Sequence, residues 1–398
     1  MAVLLGAKPP IIFKEYVLAT SQTWTAPETG TIMVTCTGGG GQGGLASNGN
    51  VGDNSSSRAR GGGAGGFSQK TIPVKVGDTF TVVVGAAGRN ANTAPNGTVA
   101  GTSGGESTFD NATAISTIAL DSNGGAGGGA VNGSSGVANL AGAAGGTASG
   151  GDINVAGGAG GAIVVTASST KDSATGGGAV SMYGLPFAGG SLTFNGAGIA
   201  QIATGGAGCF GAGGTFTQAV GANTQYNGGT QGGGNTRGAL TFVEADLGTN
   251  AVEQNANSRG GFSYSHNHPA GTNSLGTAKP QGKIDGDFLA GPISKLNGSV
   301  DLGFGAFNFP GSGGPGVTCQ LSGATAYMRS GIAGSFAGGG GAVVKANTNG
   351  GGVNSAIATS NTEGGVGGGG SGGFCQHNTF NISWKGGGQG LVIISYIG

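Results

Sequence analysis

The chain has 398 residues, of which 97 are glycine and only 11 are proline. Its 16 basic residues balance its 16 acidic residues, so we expect no electrostatic surface for nucleic acid or for an anionic membrane. Charged residues make up only 8% of the chain and the mean hydropathy is +0.05, which opposes the disorder that abundant glycine otherwise suggests. No apolar stretch reaches the length of a membrane span, and we expect no membrane insertion.

Segments with the apolar alternation of β-strands concentrate towards the two ends of the chain. They lie at residues 11–19, 30–37, 70–76, 78–85, 112–120, 162–167, 341–346 and 390–397. The two segments that flank Gly77 and Asp78 predict a hairpin. Helical periodicity is not sustained anywhere, and each internal glycine would cost a helix about 1 kcal/mol. The sequence therefore predicts a mainly β fold with essentially no α-helix.

The glycines themselves recur every third residue. From Gly124 to Gly160, one register of thirteen positions holds nine glycines and two alanines, and the next register holds five glycines. The period returns from Gly205 and from Gly364. Three residues per turn is the geometry of a polyproline II helix. We expect packed polyglycine helices of this type, flanked by the strands, because ordering so much glycine requires dense hydrogen bonding between neighbours.

This repeat also accounts for a G-x-G-x-x-G spacing at Gly206, Gly208 and Gly211. In a dinucleotide-binding fold that spacing follows a strand and opens a helix. Here no apolar strand ends at Gly205 and no helical pattern follows, so we interpret it as part of the triplet repeat.

Residues 181–337 differ from the rest, because they hold most of the aromatic residues without strand or helix periodicity. We interpret this part as long irregular loops on a rigid scaffold, the usual arrangement of a recognition surface. Trp, Tyr and Arg are enriched where proteins bind partners. Some of the phenylalanines would instead hold the loops onto the scaffold. The candidate contact residues are Tyr183, Phe187, Tyr226, Phe242, Phe262, Tyr264, Phe288, Tyr327 and Arg329.

Histidines, cysteines and acidic residues offer few candidates for chemistry. His266 and His268, in the sequence SHNHP, form a weak metal candidate that would need ligands from further subunits; two exposed loop histidines are the simpler interpretation. The four cysteines, widely spaced, predict buried thiols. Asp285 and Asp287 could act as an acid–base pair, but turn residues beside glycine fit better. We predict no active site, no metal and no cofactor.

Several blocks resemble the glycine-rich domain of bacteriophage tail fibres. QTWTAPETGTIMVTCTGGGGQGG (22–44) resembles the opening of that domain, and GGFSQKTIPVKVGDTFTVVVGAAG (65–88) its second block. GGESTFD (104–110) and GGGQGLVIISYIG (386–398) are similar to a third block and to the closing strand. In overall design the chain is similar to the adhesins at the tips of the long tail fibres of T-even-like phages, which display variable loops on stacked polyglycine helices.

The resemblance implies a virion protein, made in the host cytoplasm, that binds a host outer-membrane protein or surface glycan. Four parts are expected: an attachment segment (1–30) that contacts other tail proteins, a strand and polyglycine body (31–180), a receptor-binding region (181–337) and a closing segment (338–398). Fibre domains of this kind are often homotrimers, whereas tip adhesins can be single copies. Two alternatives stay open: a non-adhesive tail or baseplate protein, and a surface- or ice-binding polyglycine protein.

Overall fold

A computed structural model gives the fold. It describes residues 14–48, 56–89, 97–111, 118–133, 139–165, 171–180, 186–196, 199–208, 211–220, 225–229, 239–244, 254–258, 264–267, 294–296, 299–302, 313, 317–321, 326–329, 333, 336–346, 358–360, 364–376 and 386–397. Within these ranges the chain is rich in strands and contains no helix. Accordingly, no helix in these ranges is long and apolar enough to cross a membrane.

The strands are short and run through the whole chain. In order they are β1 (Glu15–Leu18), β2 (Gln22–Thr25), β3 (Gly30–Thr37), β4 (Leu45–Asn48), β5 (Ser56–Ala59), β6 (Phe67–Val74), β7 (Thr79–Val83), β8 (Gly97–Val99), β9 (Ser107–Asn111), β10 (Ala119–Ser122), β11 (Ala130–Gly133), β12 (Ala148–Ser149), β13 (Ile153–Val155), β14 (Ile163–Val165), β15 (Lys171–Ala174), β16 (Leu192–Gly196), β17 (Ile199–Ala203), β18 (Phe216–Val220), β19 (Gln225–Gly229), β20 (Ala239–Glu244), β21 (Gln254–Ser258), β22 (Tyr264–Asn267), β23 (Ser294–Leu296), β24 (Ser299–Leu302), β25 (Val317–Leu321), β26 (Ala326–Arg329), β27 (Ala342–Ala346), β28 (Ala358–Ser360), β29 (Gly373–Gln376) and β30 (Leu391–Tyr396).

Two antiparallel sheets of five strands each form what we call the aromatic sandwich. Their strand orders are β1-β30-β3-β6-β13 and β12-β10-β9-β7-β2. Alternation builds the core: on β3, Ile32, Val34 and Cys36 are fully buried while the residues between them are half-buried. The rings of Phe80 and Phe109 stack at a centroid distance of 4.6 Å. Apolar residues from both sheets thus share one core.

The strand nearest the end of the sequence completes the first of these sheets. β30 lies between β1 and β3, and its register pairs Tyr16 and Val34 with Ile394. Beyond the ladder, Tyr396 donates its amide hydrogen to the carbonyl of Lys14 at 2.9 Å. The aromatic sandwich therefore depends on segments that lie at opposite ends of the sequence.

The structure corrects the predicted hairpin around Gly77. The turn is present, with Gly77 at φ +89° and the amide of Asp78 donating to the carbonyl of Lys75 at 3.0 Å. However, β6 pairs with β3 in one sheet, whereas β7 pairs with β2 and β9 in the other. Val74 and Phe80 consequently enter the core from opposite sides. A tight turn between alternating segments does not show whether they pair or connect two layers.

A second pair of sheets, which we call the alanine sandwich, has a much thinner core. Their strand orders are β11-β5-β15-β17-β19-β20-β21 and β22-β25-β27-β29-β4-β8. Ala46 on β4 packs with Ala59, Ala174 and Ala203, and all four are fully buried. A three-stranded sheet, β14-β16-β18, covers the other face of β17 through Ile202. A four-stranded sheet, β23-β24-β26-β28, accounts for the remaining strands.

The strands from β16 to β26 fall within residues 181–337, where the sequence predicts long irregular loops. The described residues of this part differ from that expectation. The strands have three to six residues each, and many pair in parallel with strands far away in sequence. A period of two cannot be recognised over so few residues, which is why the sequence pattern missed them.

Glycine-rich segments connect the two sandwiches. Residues 38–44 lead from β3 in the aromatic sandwich to β4 in the alanine sandwich, and residues 60–66 lead back from β5 to β6. Residues 123–129 make the same crossing from β10 to β11. The triplet zone from Gly124 to Gly160 is therefore interrupted by strands, because the chain turns back at each sandwich.

Backbone hydrogen bonds join these segments with a spacing of three residues. In segment 38–44, positions 38, 41 and 44 donate to segment 60–66, whereas positions 39 and 42 donate to segment 100–106. Gly40 donates to Gly388. The same segment accepts hydrogen bonds from three further segments, 84–88, 123–129 and 364–373. Six neighbours thus surround it, and the spacing of the bonds equals the spacing of the glycines.

Glycine is required where these backbones approach one another. A methyl group on Gly62 would overlap the carbonyl oxygen of Gly41, and a methyl group on Gly41 would overlap the carbonyl oxygen of Ala126. In both cases the obstacle is backbone, which cannot rotate away as a side chain can. Close approach at successive glycines explains why segments 38–44 and 60–66 are almost entirely glycine.

We expect Gly62→Ala to lower the free energy of unfolding by at least about 2 kcal/mol, because the added methyl group must displace a neighbouring segment. The matched control is Gly97→Ala, since a methyl group there meets no atom within 4 Å. Thermal and denaturant unfolding of the two variants would measure the difference. Equal stability of both variants would contradict the close packing described here.

Candidate functional site

The structure describes some of the sequence-predicted contact residues and not others. Tyr183, Phe262 and Phe288 lie outside the described residues. Phe187 belongs to the segment 186–191 and is half-buried. Its carbonyl accepts the amide hydrogen of Ala179 at 3.1 Å. We call the glycine-rich segments that hydrogen-bond to one another, among them 38–44, 60–66 and 175–180, the glycine-rich layer. The backbone of Phe187 is therefore part of this layer.

The other candidates lie on strands whose backbone positions are known. Tyr226 is on β19 and Phe242 is on the neighbouring strand β20, in one sheet of the alanine sandwich. Tyr264 is on β22 of the opposite sheet, and β22 packs against both β19 and β20. The fold thus brings these three positions, which lie on two opposite sheets, to one end of the alanine sandwich.

Tyr327 and Arg329 are placed apart from that group. Both lie on β26 in the four-stranded sheet, where Tyr327 is in register with Asp301 and Ala358. The six predicted contact residues that the structure describes therefore do not converge on one point. The described ones divide between the glycine-rich layer, the end of the alanine sandwich and the four-stranded sheet.

The predicted metal and cysteine residues are only partly described. His266 lies on β22, in register with Cys319 on β25, while His268, Asp285, Asp287 and Cys209 are outside the described residues. Among the residues that the structure describes, no group of three or more His, Cys, Asp or Glu could hold a metal ion. The prediction of buried thiols is confirmed at Cys36, which is free and buried.

Cys36 illustrates how the aromatic core suppresses thiol chemistry. Burial raises the pKa of its thiol well above the ordinary range, and the nearby carboxylates of Asp110 and Asp121 raise it further. The hydroxyl of Ser122 donates to the carbonyl of Cys36 at 3.0 Å. Because the thiolate is the nucleophile, a protonated and inaccessible thiol is inert. Cys36 is a packing residue.

Asp110 is an acidic residue whose surroundings in the fold disfavour its charged form. Burial raises the pKa of its carboxyl, and the neighbouring carboxylate of Asp121 adds to the effect. A hydrogen bond from Thr108 offsets part of this shift, but the Oδ1 atom of Asp110 is buried without a hydrogen-bond partner. Folding therefore shifts the proton equilibrium of Asp110 towards the protonated form, relative to the unfolded chain.

Arg60 has a structural role that sequence reasoning missed. It begins the glycine-rich segment 60–66, and its guanidinium donates to the carbonyl of Ala141 in another segment. Partial burial lowers the pKa of Arg60. Its backbone amide donates to the carbonyl of Gly129 at 3.0 Å. One residue thus joins two segments, and the signal in the sequence is an arginine placed directly before a glycine run.

Comparison with known proteins identifies the class. A family model described as a glycine-rich domain matches residues 17–245, which is more than half of the chain. The chain therefore belongs to the glycine-rich domain family. The match includes both central segments, 38–44 and 60–66. A search of curated proteins found no match.

The reactivity of Cys36 provides a test of the aromatic core. In a variant with Cys209, Cys319 and Cys375 replaced by serine, we expect a thiol reagent to react more than about 1,000-fold faster in denaturant than with the folded protein. Absorbance of the released chromophore would measure both rates. Comparable rates would show that β3 is not enclosed between the two sheets.

The raised pKa of Asp110 gives a pH-dependent prediction. A carboxyl whose pKa is higher in the folded protein favours folding when protonated, and this contribution is lost as the pH rises above the unfolded value of 3.8. We therefore expect Asp110→Asn to raise the melting temperature slightly at pH 7, and to have little effect below about pH 3.5. Calorimetry at several pH values would measure this. A lower melting temperature at pH 7 would contradict the assignment.

Proposed function

We propose that this chain is a virion receptor-binding protein, a tail fibre or fibre-tip adhesin, that mediates adsorption of a phage to its bacterial host. The observation that carries the proposal is the layout of the chain. A glycine-rich layer separates two strand-built ends, and one of these ends gathers aromatic positions from two opposite sheets. A stiff spacer with a contact surface at one end suits attachment across a distance.

We interpret the glycine-rich layer as packed polyglycine helices of the polyproline II type. Three residues per turn direct successive amides about 120° apart, so that each register faces a different neighbour. The donors of segment 38–44 follow this rule, and its six hydrogen-bonded neighbours fit hexagonal packing. Because the bonds join every segment to several others, such a layer would resist bending in all directions.

The proposal also states which end of the molecule would contact the virion and which would contact the host. β1 and β2 belong to the aromatic sandwich, so residues 1–30 would contact the fibre or tail at that end. The alanine sandwich and the four-stranded sheet carry the positions Tyr226, Phe242, Tyr264 and Tyr327, and would face the host. The receptor would be an outer-membrane protein or a surface glycan.

Binding of this kind requires no catalysis. Modest affinity at each site would suffice if each virion carries several copies, because tethered copies rebind at high effective concentration. Whether each copy acts alone or in a homotrimer does not alter this reasoning. We accordingly propose no enzymatic activity.

Adsorption competition would test the proposal. We expect the purified full-length protein to block adsorption of the parent virion to host cells. The variant Tyr226→Ser/Phe242→Ser/Tyr264→Ser should block at least tenfold less well. The matched control carries a peptide tag inserted between Val76 and Gly77, in an exposed turn of the aromatic sandwich, and should compete as the unmodified protein does.

Each alternative predicts a different result. A non-adhesive tail or baseplate protein would bind virion parts but not cells, and deleting residues 238–310 would block assembly instead of adsorption. A surface- or ice-binding protein would adhere to the inorganic surface without any cell. Failure of the full-length protein to bind cells of any host that the parent virion infects would overturn the proposal.

A further inference from the structure

The described residues between 156 and 229 pass three times through the same path, in parts that we call coils one (156–165 and 171–180), two (186–196 and 199–208) and three (211–220 and 225–229). Each coil begins with a glycine-rich segment, adds one strand to the three-stranded sheet and then adds one strand to the large sheet of the alanine sandwich. All strand pairs between successive coils are parallel. The coils therefore stack on one another as the successive coils of a parallel β-solenoid do.

The coils are in register residue by residue. Ile163 pairs with Leu192, which in turn pairs with Phe216. On the larger sheet Ala174 pairs with Ala203, and Ala203 with Gly229. The three paired residues of the smaller sheet are fully buried in a shared core. Equivalent positions of the smaller sheet thus play equivalent packing roles, whereas on the larger sheet Ser173 stands where the next coil has Ile202.

Hydrogen bonds outside the strands repeat in the same way. Gly189 of coil two donates to the carbonyl of Ala159 in coil one, at 2.9 Å. One coil later, Gly213 donates to the carbonyl of Ala188 at 3.0 Å. Leu192 donates to Ala162 in the same way that Phe216 donates to Ser191. The repeat therefore includes the glycine-rich segments as well as the strands.

Two threonines make matching contacts at the points where a strand ends and a glycine-rich segment begins. The hydroxyl of Thr175 donates to the carbonyl of Gly161 at 2.8 Å and accepts from the amide of Gly61 at 2.9 Å. The hydroxyl of Thr204 donates to the carbonyl of Gly190 at 2.5 Å and accepts from the amide of Gly176 at 3.3 Å. Each threonine thus links three segments at the same point of its coil.

The sequence carries a short signature of this arrangement. Segments 159–175 and 188–204 have equal length, both begin with Ala-Gly-Gly and both end with Ala-Thr, followed by Gly-Gly. Between these limits the residues differ, with Val165 in one segment where the other has Phe194. A signature this short cannot be separated from the general glycine repeat without the structure.

We propose that segments 159–175 and 188–204 are interchangeable structural units, and that this part of the protein is an extensible stack of coils. In repeat proteins each unit contacts mainly its neighbours, so a unit can be exchanged if its interfaces are preserved. The preserved interfaces here are the parallel registers, the amide-to-carbonyl bonds and the threonine links. The inference concerns the architecture alone and does not depend on the receptor-binding proposal.

Segment exchange within the full chain tests the proposal. In the copy variant, residues 188–204 are replaced by the sequence of residues 159–175, which leaves the length unchanged. We expect one cooperative unfolding transition, with a melting temperature about 5–15 °C lower. The loss is expected because two core side chains change: the ring of Phe194, 5.6 Å from that of Phe216, would be replaced by valine, and the buried Ile202 by serine.

The matched control uses the sequence of residues 160–176 at the same place, which shifts the unit by one residue. This slip moves the apolar side chains to the other face of each strand and takes the threonine out of position. We expect fast proteolysis within residues 186–208 in the slipped variant alone. Similar behaviour of the two variants, native or unfolded, would overturn the proposal.

To separate a general loss of stability from a loss of equivalence, three single substitutions complete the design. Thr175→Val and Thr204→Val should lower the melting temperature by similar amounts, because each removes one donor and one acceptor from a buried junction. Thr204→Ser should retain most of the stability, since it keeps the hydroxyl. A large effect at only one of the two threonines would contradict equivalent roles.

Discussion

The hydrogen bond between the backbones of neighbouring glycine-rich segments is the interaction on which the rest of the structure depends. Glycine loses more conformational freedom on folding than any other residue, and these segments have few side chains to bury. Amides and carbonyls that bond to several neighbours offset that cost, provided that no Cβ keeps the backbones apart. Gly62, whose added methyl group would overlap the carbonyl of Gly41, shows how strict this condition is.

The two sandwiches follow from that constraint. Amides that are buried at the ends of a glycine-rich segment need partners within the protein, and a segment that continues into a paired strand supplies them. Thr37 and Ser107 illustrate the junction on the aromatic side, where the serine hydroxyl donates to the threonine carbonyl at 2.7 Å. The aromatic core provides the apolar burial that the layer lacks, and the alanine core permits close approach of sheets beside it.

The proposed function depends on the difference between the aromatic sandwich and the alanine sandwich. Aromatic positions on β19, β20 and β22 come together only because the sheets of the alanine sandwich hold them. The coils of residues 156–229 build part of the same sheet. A scaffold that stacks equivalent units could vary in extent while its central segments, 38–44 and 60–66, remain unchanged.

The features that the sequence by itself determined are mostly those that follow from local periodicity. β3 occupies the residues that its alternation predicts, because Ile32, Val34 and Cys36 face one core. The absence of helix in the described residues and the three-residue spacing of the glycines likewise follow from local rules. Family membership is consistent with the blocks recognised at residues 22–44 and 65–88.

Tertiary structure decided which segments meet. The turn at Gly77 reads as a hairpin, yet β6 and β7 belong to different sheets because Val74 and Phe80 fill one core from opposite sides. Many of the short strands between residues 192 and 329 pair in parallel with a strand that is not their neighbour in sequence, so no local pattern reveals them. Which neighbour each glycine contacts is likewise invisible in sequence, because every glycine offers the same amide and carbonyl and only the packing of the whole layer distinguishes them.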